Sequence, residues 1–178
     1  REMTGAGMMD CKKALAATDG DMDAAVDFLR EKGLAGAQKK AGRIAAEGIV
    51  DVCVSDDAKK AVVLEVNAET DFVAKNEKFR TYVGEVAAQA LKTSAKTTEE
   101  FLNEKWELDP SLTVAEKLSS MISIIGENMT IRRFAKVEEN DGCVVSYIHA
   151  GGKIGVLVDV VSDVVNDDIK EMAKNVAM

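Results

Sequence analysis

The chain has 178 residues, 47% of them hydrophobic and 30% charged, a globular balance with enough material for one ordinary domain or two small ones and a sizeable core. No apolar run approaches the roughly 20 residues that a membrane helix needs, so nothing points to a membrane role. Twenty-three basic against 31 acidic side chains leave a formal charge of −8, which repels phosphate backbones and argues against direct nucleic-acid binding unless a basic patch is set apart.

In chain order, Met8, Met9, Cys11 and Leu15 share one helical face, Asp19-Gly20 interrupts it, and Met22, Ala25, Val26 and Leu29 resume it until Gly33, a stop signal. Residues 1–33 are therefore expected to be a helical pair that lacks a preceding partner helix. The small and basic stretch 34–43 reads as a pliable connector. Ile49–Val54 and Ala61–Val66 are β-branched runs around Ser55-Asp56-Asp57-Ala58, a hairpin. A helix through Phe79, Val83, Val86, Ala87, Ala90 and Leu91 follows, with Asn76 where its N-cap belongs.

A short helix over Thr98–Lys105, a turn at Asp109-Pro110, and a helix opened by Thr113 with Glu116 three later, a capping box, come next. That helix buries Leu118, Met121, Ile122 and Ile125, and Gly126-Glu127-Asn128 turns the chain into a strand from Met129 to about Val137. Sliding the sequence by 94 positions aligns Gly48 with Gly142, Val50 with Val144, Lys59 with Lys153, Val62 with Val156 and Val66 with Val160. The hairpin and its following helix occur twice. An α+β fold is expected, divided as 1–33, a linker 34–43, a first core subdomain 44–137 and a second 138–178. Helical spacing still runs at Met178, so the chain is expected to be a piece of a longer one.

Cys11, Cys53 and Cys143 form no C-x-x-C pair and, with His149 the single histidine, no ordinary zinc site, so reduced buried thiols and no metal or cofactor are expected. No signal segment opens the chain, so a cytoplasmic address is expected. There is no phosphate loop or dinucleotide fingerprint, and no nucleophile motif accompanies His149, which leaves an enzyme acting through His149 and Cys143 without support.

Three segments are not explained by packing alone. Met8-Met9 follows a glycine loop, and a helix buries only one of two adjacent residues fully; the other faces a partner or a missing helix. Asn67–Asn76 carries Phe72 in a polar loop, where it either plugs its own domain or waits for a pocket elsewhere, and the residues by themselves favour the plug. His149-Ala150-Gly151-Gly152 is a small-residue tip that lets another backbone approach, or a plain turn.

The strings REMTGAGMMDCKKAL (Arg1–Leu15), NAETDFVAKN (Asn67–Asn76), GENMTIRR (Gly126–Arg133) and SYIHAGGKIGVLV (Ser146–Val158) together resemble the bacterial elongation factor Ts family, over essentially the whole chain. The resemblance implies a nucleotide-exchange factor for the GTPase elongation factor Tu, without covalent chemistry. It also implies a small ubiquitin-associated-like helical domain ahead of two similar α+β subdomains. By similarity, Thr70, Asp71, Phe72 and Val73 are the wedge that enters the partner's G domain and dislodges magnesium. Arg1, Met8 and Met9 grip a G-domain helix, and His149, Ala150 and Gly151 touch the nucleotide side. A homodimer within the complex is left open. Against the family pattern, the first helix of the helical domain and the coiled-coil projection of the second subdomain are missing, so the 178 residues are expected to lack part of the family's contacts. The alternative is a ubiquitin-associated-like binding module without exchange activity, resting on residues 1–33.

Overall fold

The computed structural model describes residues 1–178 as a mixed α and β molecule. Helices α1 (Met8–Ala17) and α2 (Met22–Lys40) are joined by a turn in which Asp19 and Gly20 adopt left-handed backbone and the Gly20 N–H closes on the Leu15 carbonyl at 2.8 Å. Asp21 then caps α2 by accepting from the Ala24 N–H at 2.9 Å.

Strands β1 (Glu47–Val54) and β2 (Lys60–Ala68) form the expected hairpin. The one-turn helix α3 (Asp71–Ala74) leads into α4 (Glu77–Lys92), which Asn76 caps through the Lys78 and Phe79 N–H groups. Phe79, Tyr82, Val83, Val86, Ala87 and Ala90 lie on the buried side of α4 and join Val62, Leu64 and Val66 of β2 in the main core. Next come α5 (Thr98–Leu102), a ribbon of β3 (Lys105–Trp106) with β4 (Asp109–Thr113), and α6 (Val114–Ile125). The capping box opens α6 as expected, the Glu116 N–H reaching Thr113 Oγ1 at 3.1 Å and the Thr113 N–H reaching Glu116 Oε2 at 2.8 Å. Strand β5 (Met129–Glu138) returns to β2, giving an antiparallel sheet in the order β1-β2-β5. Phe101 and Trp106 are buried.

The second hairpin, β6 (Gly142–His149) and β7 (Ile154–Val161), carries α7 (Asp167–Ala177) against it. Gly48 faces Asn67 and Gly142 faces Val161, so both partners are displaced by the same 94 positions. The shared glycine does one job in both copies. A Cβ on Gly48 would lie 2.1 Å from the Val66 carbonyl oxygen, and one on Gly142 would lie 1.7 Å from that of Val160. The copies also grip each other reciprocally: the Val50 N–H donates to the Gly152 carbonyl and the Val144 N–H to that of Ala58, each at 2.7 Å. The shared lysines cross the same seam, Lys59 Nζ to the Gly142 carbonyl at 2.6 Å and Lys153 Nζ to Glu47 Oε2 at 2.9 Å. The hairpins are thus related by an approximate two-fold.

Four expectations need correction. Gly33 does not end its helix: α2 continues to Lys40, so most of 34–43 is helical. The small residues let α2 approach α6, with Gly33 buried against Ser119, Ser120 and Ser123, and packing outweighs the glycine's preference to stop. The helix expected through Lys105 ends at Leu102, because Lys105 and Trp106 pair with β4. Pro110 lies within β4, an edge strand that tolerates a missing donor. Of the three thiols Cys143 is buried, while Cys11 and Cys53 are half-buried; burial pushes the Cys53 thiol up.

Candidate partner-docking face

The loop after β2 resolves the question of its phenylalanine. Thr70 caps α3 by accepting the Val73 N–H at 3.3 Å, and within this one turn Val73 and Ala74 point into the core. Successive helical residues differ in direction by about 100°, so Phe72 faces away and is 81% exposed. The internal plug exists, but Val73 and Ala74 supply it. Asp71 is paired with Lys75 at 2.8 Å, one turn on, and that hydrogen bond holds its carboxyl below the usual carboxylate range.

The segment is fastened from behind. Glu127 accepts the Thr70 N–H at 3.1 Å and its hydroxyl at 2.7 Å. In return the Asn128 N–H donates to Glu69 at 2.6 Å, and the Asn128 amide donates to the Arg43 carbonyl at 2.8 Å. Arg43 completes the group with an ion pair to Glu69 at 3.5 Å.

The second hairpin's tip is the other component. Ala150, Gly151 and Gly152 all have positive φ, which glycine adopts freely and Ala150 adopts at a steric cost. His149 is exposed, and its Nδ1 lies 3.0 Å from the Tyr147 hydroxyl. The tip is pinned to the first copy by the Val50 bond, by Lys153 to Glu47, and by Arg80 Nη2 donating to the Gly151 carbonyl at 2.9 Å. A Cβ on Gly152 would sit 3.1 Å from Ile49 Cβ, so this backbone needs glycine to lie on β1. Since α3 packs on β1 as well, Thr70–Val73 and His149–Gly151 share one side of the molecule, and Lys153 adds to the positive field at Asp71.

Arg1, Met8 and Met9 stand on a different element. All three are exposed, Met8 by 68% and Met9 by 61%, so α1 leaves both thioethers at the surface where the residue pattern would bury one. The Arg1 carbonyl accepts the Gly5 N–H at 2.8 Å, and a Cβ on Gly5 would be 3.3 Å from Ile124 in the last turn of α6. Lys32 pairs with Asp10 and pulls its carboxyl down, tying α1 to α2. The N-terminal turn and the Thr70 loop are thus both anchored at the end of α6.

Sequence reasoning did not single out Arg43, Glu47, Arg80, Glu127 or Tyr147 as fastenings. Only Glu127 and Tyr147 lay inside strings that the resemblance had marked. No three His, Cys, Asp or Glu side chains are grouped as metal ligands. What the face offers chemically is an exposed apolar ring next to the Asp71–Lys75 pair on a hydrogen-bonded turn.

Residues 69–178 match the family model described as Elongation factor TS. Over all 178 residues the chain is 54% identical to Elongation factor Ts of Clostridium botulinum (strain Alaska E43 / Type E3), covering 58% of that protein. It is 52% identical to Elongation factor Ts of Halothermothrix orenii, covering 59%, and 53% identical to that of Clostridium novyi (strain NT), covering 58%. The chain therefore spans a little under three fifths of the length of these relatives.

Proposed function

Because the chain belongs to the elongation factor Ts family, we propose that it serves translation elongation as a guanine-nucleotide exchange factor for elongation factor Tu, with no covalent chemistry of its own. The observation that carries this reading is Phe72, a large apolar side chain left in water on a turn whose neighbours are bonded or buried. Burying such a ring is worth on the order of 1.5–3 kcal/mol, and in the free protein that gain is unrealised. A pocket in the partner's G domain supplies it, and the ring's entry holds that domain in a nucleotide-poor arrangement and dislodges its magnesium.

Accelerating release about ten-thousandfold requires roughly 5.5 kcal/mol of differential binding, more than one phenylalanine provides. Thr70 and Asp71 share the load at the wedge, which Val73 seats from within the core instead of touching the partner, while His149, Ala150 and Gly151 share it at the hairpin tip and Arg1, Met8 and Met9 on a G-domain helix. Coupling is reciprocal, so bound nucleotide weakens the factor's grip to the same degree and GTP drives it off.

On this reading residues 1–33 form the core of a ubiquitin-associated-like domain ahead of two core subdomains, 44–137 and 138–178, and the protein works in the cytoplasm. No helix is long and apolar enough to cross a membrane. The exposed Met8 and Met9 also suit the alternative, a binding module without exchange activity. Release of a fluorescent GDP from preloaded elongation factor Tu separates the two. The exchange reading expects the intact protein to speed the loss of label in proportion to its concentration; binding without any change in rate supports the module.

A further inference from the structure

None of the residues assigned to the proposed docking face lies in the string Gly126–Arg133. Met129 and Ile131 enter the core, and Arg133 pairs with Glu65 at 2.8 Å. Glu127 has neither role. It follows the C-terminal end of α6, where the helix dipole disfavours a carboxylate, so the helix gains nothing from it. Its two oxygens instead take both donors of Thr70, the hydroxyl at 2.7 Å and the N–H at 3.1 Å.

Those donors matter because of what Thr70 holds. Four residues are too few for a helix to sustain itself, since the nucleation cost is met before any propagation. The hydroxyl caps α3 by accepting the Val73 N–H with a lone pair, and Glu127, by accepting its hydrogen, fixes the rotor that keeps the oxygen aimed at that N–H. Glu127 is itself fixed. The Gly126 N–H closes α6 on the Ile122 carbonyl at 2.8 Å, and Asn128 is held by Glu69 and Arg43. The relay therefore runs from an anchored carboxylate, through Thr70, to the turn that aims Phe72.

We propose that Glu127 is a positioning residue for the wedge: by fixing the Thr70 hydroxyl it keeps α3 wound and Phe72 presented outward, without touching the partner. This rests on the exchange reading above, which makes Phe72 the inserted ring. The test is a double-mutant cycle of labelled-GDP release from elongation factor Tu with wild type, Glu127→Ala, Phe72→Ala and the double variant, alongside amide hydrogen exchange of the free proteins. Glu127→Ala is expected to slow wild-type release about tenfold, the scale of one hydrogen-bonded charge, and to add less than twofold in the Phe72→Ala background. Glu127→Gln keeps one acceptor oxygen and is expected to fall between, and it takes the place of Glu127→Ala should that variant not fold. In the free protein, protection of the Val73 amide is expected to drop at least tenfold while that of Leu64 in β2 stays unchanged. Equal slowing in both backgrounds, or unaltered Val73 protection, overturns the proposal. Failure of the wild type to release label overturns the exchange reading instead, and Val73 protection still decides whether Glu127 winds α3.

Discussion

Tyr82 carries the one buried side-chain polar atom without a hydrogen-bond partner. Burial, with Glu85 nearby, pushes its phenol pKa far up, and the ring packs 6.0 Å from Trp106. An unpaired buried hydroxyl costs more than it returns, so Tyr82→Phe is expected to stabilise the fold by about 1 kcal/mol, raising Tm by about 2–4 °C in thermal unfolding. Asp51 offers a pH test. Burial raises its carboxyl above 3.8, outweighing the pull of the Val52 N–H and Arg80. Its stabilising contribution is thus present below 3.8 and lost as pH rises through the folded value. Asp51→Asn is expected to raise the urea midpoint at pH 7, with the gap to wild type closing as the pH falls toward 3.8. Glu65 runs the other way. The Asn67 amide first, then Arg133, holds its carboxyl low, so its contribution is present above 4.5 and fades on further acidification.

Among the elements, glycines in two settings separate preference from geometry. Gly33 sits inside α2 with ordinary φ, and an added methyl would meet Ser120 Cα at 3.8 Å, a normal contact. Gly33→Ala is expected to stabilise by about 0.5–1 kcal/mol, read as a higher urea midpoint. Gly142→Ala is expected to cost at least about 3 kcal/mol in the same measurement, because its methyl would overlap the Val160 carbonyl. The same contrast shows what the sequence made legible. Caps at Asn76 and Thr113 are made within three residues, so local spacing exposed them, and the two hairpins appeared because their glycine, lysine and valine positions repeat. Gly33 misled because a glycine's bias to end a helix is weaker than the packing of α2 on α6, which local spacing does not report.

In the whole molecule, the approximate two-fold brings a hairpin tip from one copy onto α4 of the other, and so joins two parts of the proposed docking face that lie far apart in the chain. The Arg80–Gly151 bond that does this spans 71 residues, and the Thr70–Glu127 bond that fastens the wedge segment spans 57, distances over which no periodicity speaks. The residues by themselves favour an inward Phe72 and the resemblance an outward one; the structure has it outward because Val73 and Ala74 fill the space beneath. On the exchange reading that ring is idle in the free protein and buried in the complex. Phe72→Ala is expected to slow labelled-GDP release from elongation factor Tu at least tenfold while leaving Tm within about 1 °C of wild type, because an exposed ring contributes little to folding. A Phe72→Ala protein that melts several degrees lower, or that releases the nucleotide as fast as wild type, would contradict it.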